Sequence, residues 1–164
     1  MVSALIPSKR IEMGIEAVRR IPDAHLVVAG DGPLRNQIAV TASEYIPGRF
    51  TRLSVRQEQM PMLYQAADVF LHCSKDEAFG IVFLEAMASG LPVVAHDTAR
   101  ARWLVGDREF LVNTDNVAEI AKAIQRAKDT DSVARQNRIG RALKFSWPKI
   151  AAAYRDFFED IISN

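Results

Sequence analysis

Short apolar segments alternate with longer amphipathic segments along the whole of this 164-residue chain. The short segments predict strands, which we place at residues 2–6, 25–29, 49–53, 68–73, 92–95 and 110–112. Strands that alternate with helices favour a parallel sheet, because each helix carries the chain back to the start of the next strand. We therefore expect an α/β fold with a mainly parallel sheet and helices on both faces.

Between the predicted strands, apolar residues recur at the spacing of one helix face. Ser8 is placed to cap the first helix, and Pro33 stands at the first turn of the second. The faces that we expect to be buried are Ile11, Ile15 and Val18; Leu34, Ile38, Ala42 and Tyr45; Met60, Leu63, Tyr64 and Ala67; Val117, Ile120, Ala121, Ile124 and Ala127; and Ile150, Tyr154, Phe157, Phe158 and Ile161. No repeat or long linker interrupts this pattern, so residues 1–164 are expected to form one domain.

Composition argues against several classes of function. The net charge of +1 implies no broad basic surface, so nucleic acid is not an expected partner. The single cysteine, Cys73, lies in a predicted strand, which favours a buried core residue and excludes an intrachain disulfide. No apolar segment is long enough to predict a membrane span. The chain opens within a strand-like segment, so we expect it to be part of a longer protein.

Two glutamates stand in the most informative segment, which runs SKDEAFGIVFLEAMASGLP from residue 74 to residue 92. Glu77 is predicted in a loop after a strand, and Glu85 inside an apolar helix that begins at Ile81. A carboxylate inside an apolar helix needs a partner, because burying the charge alone is costly. A pair of sugar hydroxyls would be one such partner. A basic side chain would be another, in which case Glu77 would be a solvated loop acid.

Glycines near the ends of predicted strands indicate where a phosphate could bind. Gly80 lets the chain pass close to a ligand. The amides of Phe79, Gly80 and Ile81 lie near a helix amino end, where an anion is favoured. Gly30 and Gly32 follow the second predicted strand, at the sheet edge where ligands bind in open α/β folds. A tight turn alone would also account for these two glycines.

Basic and histidine side chains indicate a binding site less clearly than the two glutamates do. Lys9 and Arg10 stand where the first predicted strand turns into the first helix, and a lysine there can meet a phosphate. Two surface cations would give the same pattern. The histidines are interpreted as structural and no metal site is expected, because His25, His72 and His96 lack the spacing of metal ligands. The arginines interpreted as solvated helix faces are Arg100, Arg102, Arg135, Arg138 and Arg141.

Taken in order, these segments resemble the C-terminal, donor-binding half of retaining GT-B glycosyltransferases of the group 1 (family 4) type. The resemblance covers most of the chain. It rests on LIPSKR at residues 5–10, VVAGDGP at 27–33, MLYQAADVF at 62–70, Glu77 and Glu85 with seven residues between them, GLPVVA at 90–95 and FSW at 145–147. It implies the Rossmann-like C-terminal lobe of a GT-B fold, whose closing helix often crosses back to the other lobe.

The resemblance also implies a role for each motif residue. Glu85 would hold the ribose hydroxyls of a nucleotide sugar, and Glu77 would lie beside the donor sugar in a catalytic or sugar-positioning role. Lys9 and the amides near Gly80 would stabilise charge that develops on the diphosphate as the glycosidic bond breaks, without a metal. The donor-binding residues that it implies are Lys9, Gly30, Gly32, Phe79, Gly80, Ile81 and Glu85.

The sequence departs from the family pattern in two places. The family usually has an arginine shortly before the lysine, in the pattern Gly-Arg-Leu, whereas this chain has Ser3, Ala4 and Leu5. A cation for the diphosphate would therefore be missing, unless Arg10 or another residue replaces it. Ala78 stands where glycine is common, which is a milder change.

The implied activity is that of a retaining glycosyltransferase of glycan biosynthesis, most simply a hexosyltransferase, with a nucleotide diphosphate sugar as donor and no cofactor. Its acceptor would belong to an N-terminal lobe absent from this chain, so the chain alone is expected to bind the donor and transfer little sugar. We expect a cytoplasmic protein with at most peripheral contact with the inner face of a membrane. Two further hypotheses are a non-catalytic nucleotide-binding module, and a different enzyme with the same architecture, such as a nucleotide-sugar epimerase or a phosphorylase.

Overall fold

The computed structural model describes residues 1–106 and 110–163, in which helices and strands alternate along most of the chain. The strands are β1 (Leu26–Ala29), β2 (Phe50–Leu53), β3 (Phe70–His72), β4 (Val93–His96) and β5 (Leu111–Val112). The helices are α1 (Ile11–Arg19), α2 (Arg35–Tyr45), α3 (Met60–Gln65), α4 (Ile81–Ala88), α5 (Ala99–Val105), α6 (Val117–Lys128), α7 (Ser132–Ala142) and α8 (Trp147–Ser163). Short 3₁₀ turns cover Pro7–Lys9, Gln57–Gln59 and Leu143–Phe145.

The strand pairs in the described part of the chain are parallel, which confirms the predicted α/β class. β1 pairs with β2, and β4 lies between β3 and β5. Leu71 stands opposite Val94, so β3 and β4 end at the same edge of their sheet. The loops that follow these strands, which carry the predicted site, are therefore brought together at one edge.

The first predicted strand, at residues 2–6, is wrong in extent. Only Val2 forms a bridge, with Ala29. The Leu5 amide bonds to the Asp31 carbonyl, and the Leu5 carbonyl accepts from the Leu34 amide. The chain therefore runs beside the turn after β1 instead of along a strand, and it then enters the 3₁₀ turn that carries Lys9.

The core forms where the apolar faces of the helices meet the sheets. One cluster surrounds Phe70, Phe83 and Leu104, between β3, α4 and α5. The other two lie around β1 and between α1 and α6. Cys73 is fully buried, as predicted, and burial raises the pKa of its thiol to about 12. This burial makes the thiol a poor nucleophile.

Several predicted helix details differ from the structure. Ser8 lies inside the 3₁₀ turn and does not cap α1. Tyr45 and Ala67 are exposed, since each lies at or beyond the end of its helix, and the Tyr45 ring is covered on one side by the Arg19 guanidinium, 5.0 Å from its centroid. The apolar stripe of α8 is also largely uncovered: Tyr154, Phe157, Phe158 and Ile161 are each more than half exposed. None of the described helices is both long enough and apolar enough to span a membrane.

Three arginines that were predicted to lie on solvated faces donate to backbone carbonyls instead. Arg100 donates to Glu77, Arg138 to Gly90 at 3.4 Å and Arg141 Nε to Leu104 at 2.7 Å. Carbonyls at helix ends and in loops lack partners within their own element, so side-chain donors are needed there. The prediction missed this because such partners are distant in the sequence.

Candidate functional site

A cavity of about 300 Å³ lies beside the loop that joins β3 to α4. Five predicted site residues line it, namely Lys9, Glu77, Phe79, Gly80 and Ile81. The 3₁₀ turn before α1 supplies the lysine, the loop after β3 supplies Glu77, Phe79 and Gly80, and Ile81 is the first residue of α4. The structure therefore brings together residues that are almost seventy positions apart in the sequence.

The Glu77 carboxylate is held from two sides at this cavity. Lys9 Nζ and His72 Nε2 lie 2.7 and 2.9 Å from the same oxygen, Oε2. The Lys9 and Glu77 side chains are 19 % and 23 % exposed, so the ion pair is only partly screened by water. Both contacts are made to Oε2, so neither Lys9 nor His72 holds the other carboxylate oxygen, Oε1.

The charges at this site favour an ionised Glu77 and a neutral His72. Partial burial by itself raises the pKa of the Glu77 carboxyl, but the hydrogen bonds and charges of Lys9 and His72 outweigh it and hold that pKa below the usual value. Burial lowers the pKa of His72, against the opposing pull of Glu77. A neutral imidazole that donates from Nε2 fits the observed contact.

His72 is a site residue that the sequence analysis interpreted as structural. It is 1 % exposed, ends β3, and packs against the Phe83 ring with 5.1 Å between ring centroids. This packing fixes the imidazole where its nitrogen meets Glu77. The available signal was the position of a polar residue at the end of a buried strand, five residues before the loop glutamate.

Gly80 forms the N-terminal boundary of α4 with a φ of 91°, a backbone conformation that favours glycine. A Cβ at this position would lie 3.0 Å from the Phe83 ring. Ile81 and Val82 line the cavity, and their amides, as the first of a helix, have no partner within it. α5 covers the loop. Arg100 donates to the Glu77 carbonyl, and the Trp103 and Phe79 rings pack edge to face with their centroids 6.2 Å apart.

A second cavity, of about 250 Å³, adjoins the first, since Val2 and Ser3 line both. Gly30 and Ala4 line this second cavity, whereas Gly32 lines neither. Both glycines are required by the backbone itself. A Cβ at Gly30 would lie 1.9 Å from the Ser3 carbonyl oxygen, and one at Gly32 would lie 2.6 Å from that of Leu5.

The half-buried Glu85 has a neutral partner in the absence of ligand. The hydroxyl of the buried Tyr64 donates to Glu85 Oε2 at 2.7 Å. Burial raises the pKa of Tyr64 and the hydrogen bond to Glu85 raises it further, so the tyrosine stays protonated and remains a donor. Glu85 lies on α4, four residues after Ile81, and lines neither cavity in this structure.

Arg10 does not fill the place of the missing family cation. Its guanidinium is bound to Thr114 and Asp115, with Nη2 2.7 Å from Asp115 Oδ1. Arg10 also lines neither cavity, so its charge is held away from them. Residues 1–106 and 110–163 contain no group of three or more histidine, cysteine or acidic side chains arranged to hold a metal ion.

Comparison with known proteins identifies relatives over nearly the whole chain. The family model described as "Glycosyl transferases group 1" matches residues 1–144. The lipopolysaccharide core biosynthesis glycosyltransferase LpsE of Rhizobium meliloti (strain 1021) is 33 % identical over 114 residues, which cover 68 % of this chain and 33 % of LpsE. The chain thus spans about a third of the length of this curated relative.

Solved structures of other proteins superpose on nearly the whole chain. Sucrose-phosphate synthase from Thermosynechococcus elongatus superposes with a TM-score of 0.84 at 27 % identity, covering 99 % of this chain and 45 % of the synthase. HepE from Anabaena, solved in complex with UDP and glucose, superposes with a TM-score of 0.78 at 25 % identity, covering 99 % of this chain and 47 % of HepE.

Proposed function

Because this chain belongs to the group 1 glycosyl transferases, we propose that it is the donor-binding domain of a retaining glycosyltransferase. Its donor is a nucleotide diphosphate sugar, and the group transferred is a hexose. The observation that carries the proposal is the meeting of Lys9 and Glu77 at one cavity beside the amino end of α4. A cation and helix amides at one point suit a diphosphate, and an adjoining carboxylate suits sugar hydroxyls.

Lys9 and the first amides of α4 act on the leaving group. As the bond from the sugar to the diphosphate breaks, negative charge grows on the phosphate oxygens. Donors already aimed at those oxygens stabilise the charge without further reorganisation. Lys9 must therefore exchange at least part of its contact with Glu77 for contact with phosphate when the donor binds.

Glu77 and Glu85 hold different parts of the donor. Glu77 is kept ionised and presents Oε1 toward the sugar, where it accepts hydrogen bonds from hydroxyls. Glu85 accepts from the two ribose hydroxyls, with Tyr64 keeping its second oxygen in place. A donor whose ribose and sugar are both held in this way would place its anomeric carbon near Glu77.

The acceptor is proposed to bind a separate N-terminal lobe. Support comes from the length of the relatives, since the chain covers only 33 % of LpsE and 45 % of the sucrose-phosphate synthase chain. Transfer requires the acceptor oxygen and the donor carbon within reach of each other, and this positioning contributes much of the rate. On this proposal the chain alone binds the donor and transfers little or no sugar.

A non-catalytic nucleotide-binding module is the second candidate. Two observations favour it: Ala4 carries no charge, and the Arg10 guanidinium is bound elsewhere. Among the described residues, Lys9 would then be the one lysine or arginine that lines either of these two cavities. Such a module would bind nucleotides but would transfer no sugar even with a complete acceptor lobe.

A thermal-shift panel of nucleosides, nucleoside diphosphates and nucleotide sugars tests the binding proposal. A ligand at a hundred times its Kd stabilises the folded state by about 2.7 kcal/mol, which is roughly 5–10 °C in Tm for a domain of this size. We expect the matching nucleotide sugar to reach this range and the nucleoside alone to fall short of it. No shift with any nucleotide would refute donor binding. A product assay on the longer protein then separates the enzyme from the non-catalytic module.

A further inference from the structure

Arg10 has an unusual backbone conformation for a residue with a side chain. Its φ is 52° and its ψ is 47°, and among the described residues it is the only non-glycine with a positive φ. This left-handed conformation is less favourable for a residue with a Cβ than for glycine. The Arg10 amide closes the 3₁₀ turn by bonding to the Pro7 carbonyl at 3.1 Å, and α1 begins at the next residue.

The Arg10 side chain ties this turn to the ends of two strands. Nη1 donates to Thr114 Oγ1 at 3.0 Å and lies 3.4 Å from the Cys73 carbonyl. Nη2 donates to the Thr114 carbonyl at 3.0 Å and to Asp115 Oδ1 at 2.7 Å. Cys73 directly follows β3, and Thr114 lies two residues beyond β5. One side chain therefore links its own turn to the segments that follow two strands.

We call the Arg10 side chain and its contacts with Cys73, Thr114 and Asp115 the tether. Several of the atoms that accept from Arg10 are themselves held in place. Thr114 is fully buried, and its Oγ1 lies 3.0 Å from the Cys73 carbonyl. The Thr114 amide donates to His96 Nδ1 at 3.1 Å, which connects the tether to the end of β4. Arg10 is thus bound to a fixed set of atoms, and the residue before it, Lys9, is carried on the same turn.

We propose that Arg10 is a positioning residue for the donor diphosphate, which acts by fixing the turn that holds Lys9. This inference rests on the proposed function, because it assigns Lys9 to the phosphates. The tether ends on the Cys73 carbonyl, and the loop that follows Cys73 carries Glu77. Lys9 and the loop that it faces are therefore held against the same strand end, which limits how far Lys9 Nζ can move from the phosphate site.

Two other roles for Arg10 make different predictions. If Arg10 only stabilised the fold, its loss would weaken every ligand alike. If its positive charge attracted the diphosphate directly, neutralising the nearby Asp115 would tighten diphosphate binding. The positioning role predicts the opposite sign for Asp115→Ala, because this variant removes an anion but also removes one of the acceptors that hold Arg10. Asp115 is half exposed and also binds Lys75 Nζ, so Lys75→Ala is compared with Asp115→Ala to separate the loss of that ion pair from the loss of the Arg10 contact.

A double-mutant cycle tests whether Arg10 acts through Lys9. The probe is whichever of UDP, GDP and ADP binds the chain most tightly by calorimetry, with its parent nucleoside as the control ligand. Lys9→Ala should weaken nucleoside diphosphate binding about tenfold or more, the usual scale for a charge-assisted hydrogen bond. Arg10→Gly keeps the backbone conformation, and we expect a loss of about threefold to tenfold. The double variant should bind no more weakly than Lys9→Ala alone, while nucleoside affinity stays within about twofold in all variants.

Partial recovery in Arg10→Lys, which can reach one or two of the same acceptors, would support the tether, as would weaker diphosphate binding in Asp115→Ala. Additive losses in the cycle, equal losses for nucleoside and diphosphate, or tighter binding in Asp115→Ala would overturn the proposal.

If the unmodified chain binds none of the three diphosphates, the proposed function fails. Positioning of Lys9 is then judged by NMR titration of the Glu77 carboxyl. Arg10→Gly should raise the Glu77 pKa as Lys9→Ala does, and an unchanged pKa would refute the positioning role.

Discussion

Replacing Glu77 by glutamine should tighten the binding of a nucleoside diphosphate and reduce the preference of the chain for the corresponding nucleotide sugar. In the structure Lys9 Nζ lies 2.7 Å from Glu77 Oε2, so a diphosphate has to compete with this carboxylate for the lysine. Glu77→Gln keeps the side-chain shape but removes the competing charge. It also removes the repulsion between the carboxylate and the phosphates.

The size of the effect follows from the exposure of the pair. Two unit charges about 4 Å apart attract by about 4 kcal/mol at an effective dielectric constant of about 20, which is an upper bound. Exposed ion pairs are worth about 0–1 kcal/mol, and this pair, at 19 % and 23 % side-chain exposure, lies between the two limits. Taking about 1 kcal/mol, the nucleoside diphosphate should bind about fivefold more tightly to the variant.

The nucleotide sugar carries the same diphosphate and shares this gain, but it also loses a contact that the nucleoside diphosphate does not make. A hydrogen bond from a sugar hydroxyl to an ionised carboxylate contributes about 1.5–3 kcal/mol, and an amide oxygen replaces it with a weaker one. Because the gain at Lys9 is common to both ligands, the preference for nucleotide sugar over nucleoside diphosphate should fall by the hydrogen-bond difference alone, about 1–1.5 kcal/mol or about fivefold to tenfold, in Glu77→Gln.

Calorimetry with both ligands on both proteins measures this preference. Glu44→Gln is a matched control, since it makes the same chemical change at an exposed position on α2 that lines neither cavity. Weaker binding of the nucleoside diphosphate to Glu77→Gln, or an unchanged preference between the two ligands, would refute competition between Glu77 and phosphate for Lys9.

Three further predictions concern the same site. Glu85→Gln should weaken nucleotide binding by about 1–3 kcal/mol with little change in Tm, whereas Tyr64→Phe should weaken it less; calorimetry that finds full affinity in Glu85→Gln would exclude the ribose role. Nucleotide binding should persist in EDTA, and loss of binding that magnesium restores would contradict a phosphate site built from Lys9 and backbone amides. Denaturation at stepped pH should show stability falling below about pH 6.5, because burial lowers the folded-state pKa of His72 from 6.5 and the unfolded chain then binds protons first. Glu77, whose pKa in the folded state is below 4.5, adds a further loss as the pH falls through that lower value. His72→Asn should reduce the first part of the profile, to which His96 also contributes because burial lowers its pKa from 6.5, and should leave the second part.

The sequence was sufficient to predict the alternation of strands and helices, because apolar periodicity depends on local spacing. β1 to β5 each lie within or close to a predicted strand. The first predicted strand fails because its neighbour is the turn after β1, and Leu5 bonds to that turn instead of to a strand. α8 has a clear apolar stripe but little to pack against, since periodicity gives the apolar face of a helix and not its partner.

The positions of the motif residues in the sequence were enough to predict most of the residues that line the candidate site. Glu77, Phe79, Gly80 and Ile81 share one cavity because they follow β3 in sequence, and Lys9 reaches the same cavity from the 3₁₀ turn before α1. The side-chain partners were not predictable. That His72 holds Glu77, that Tyr64 holds Glu85, and that Arg10 turns away to Thr114 are outcomes of tertiary packing, which pattern spacing does not encode.

A crystal structure of the chain with a bound nucleotide diphosphate sugar tests the central claim most directly, with the nucleotide chosen from the thermal-shift panel. The proposed function predicts the diphosphate between Lys9 Nζ and the first amides of α4, at hydrogen-bond distance from both. It also predicts the ribose hydroxyls on Glu85 and the sugar against Glu77. A nucleotide bound with its phosphates away from Lys9, or with its ribose away from Glu85, would contradict the claim.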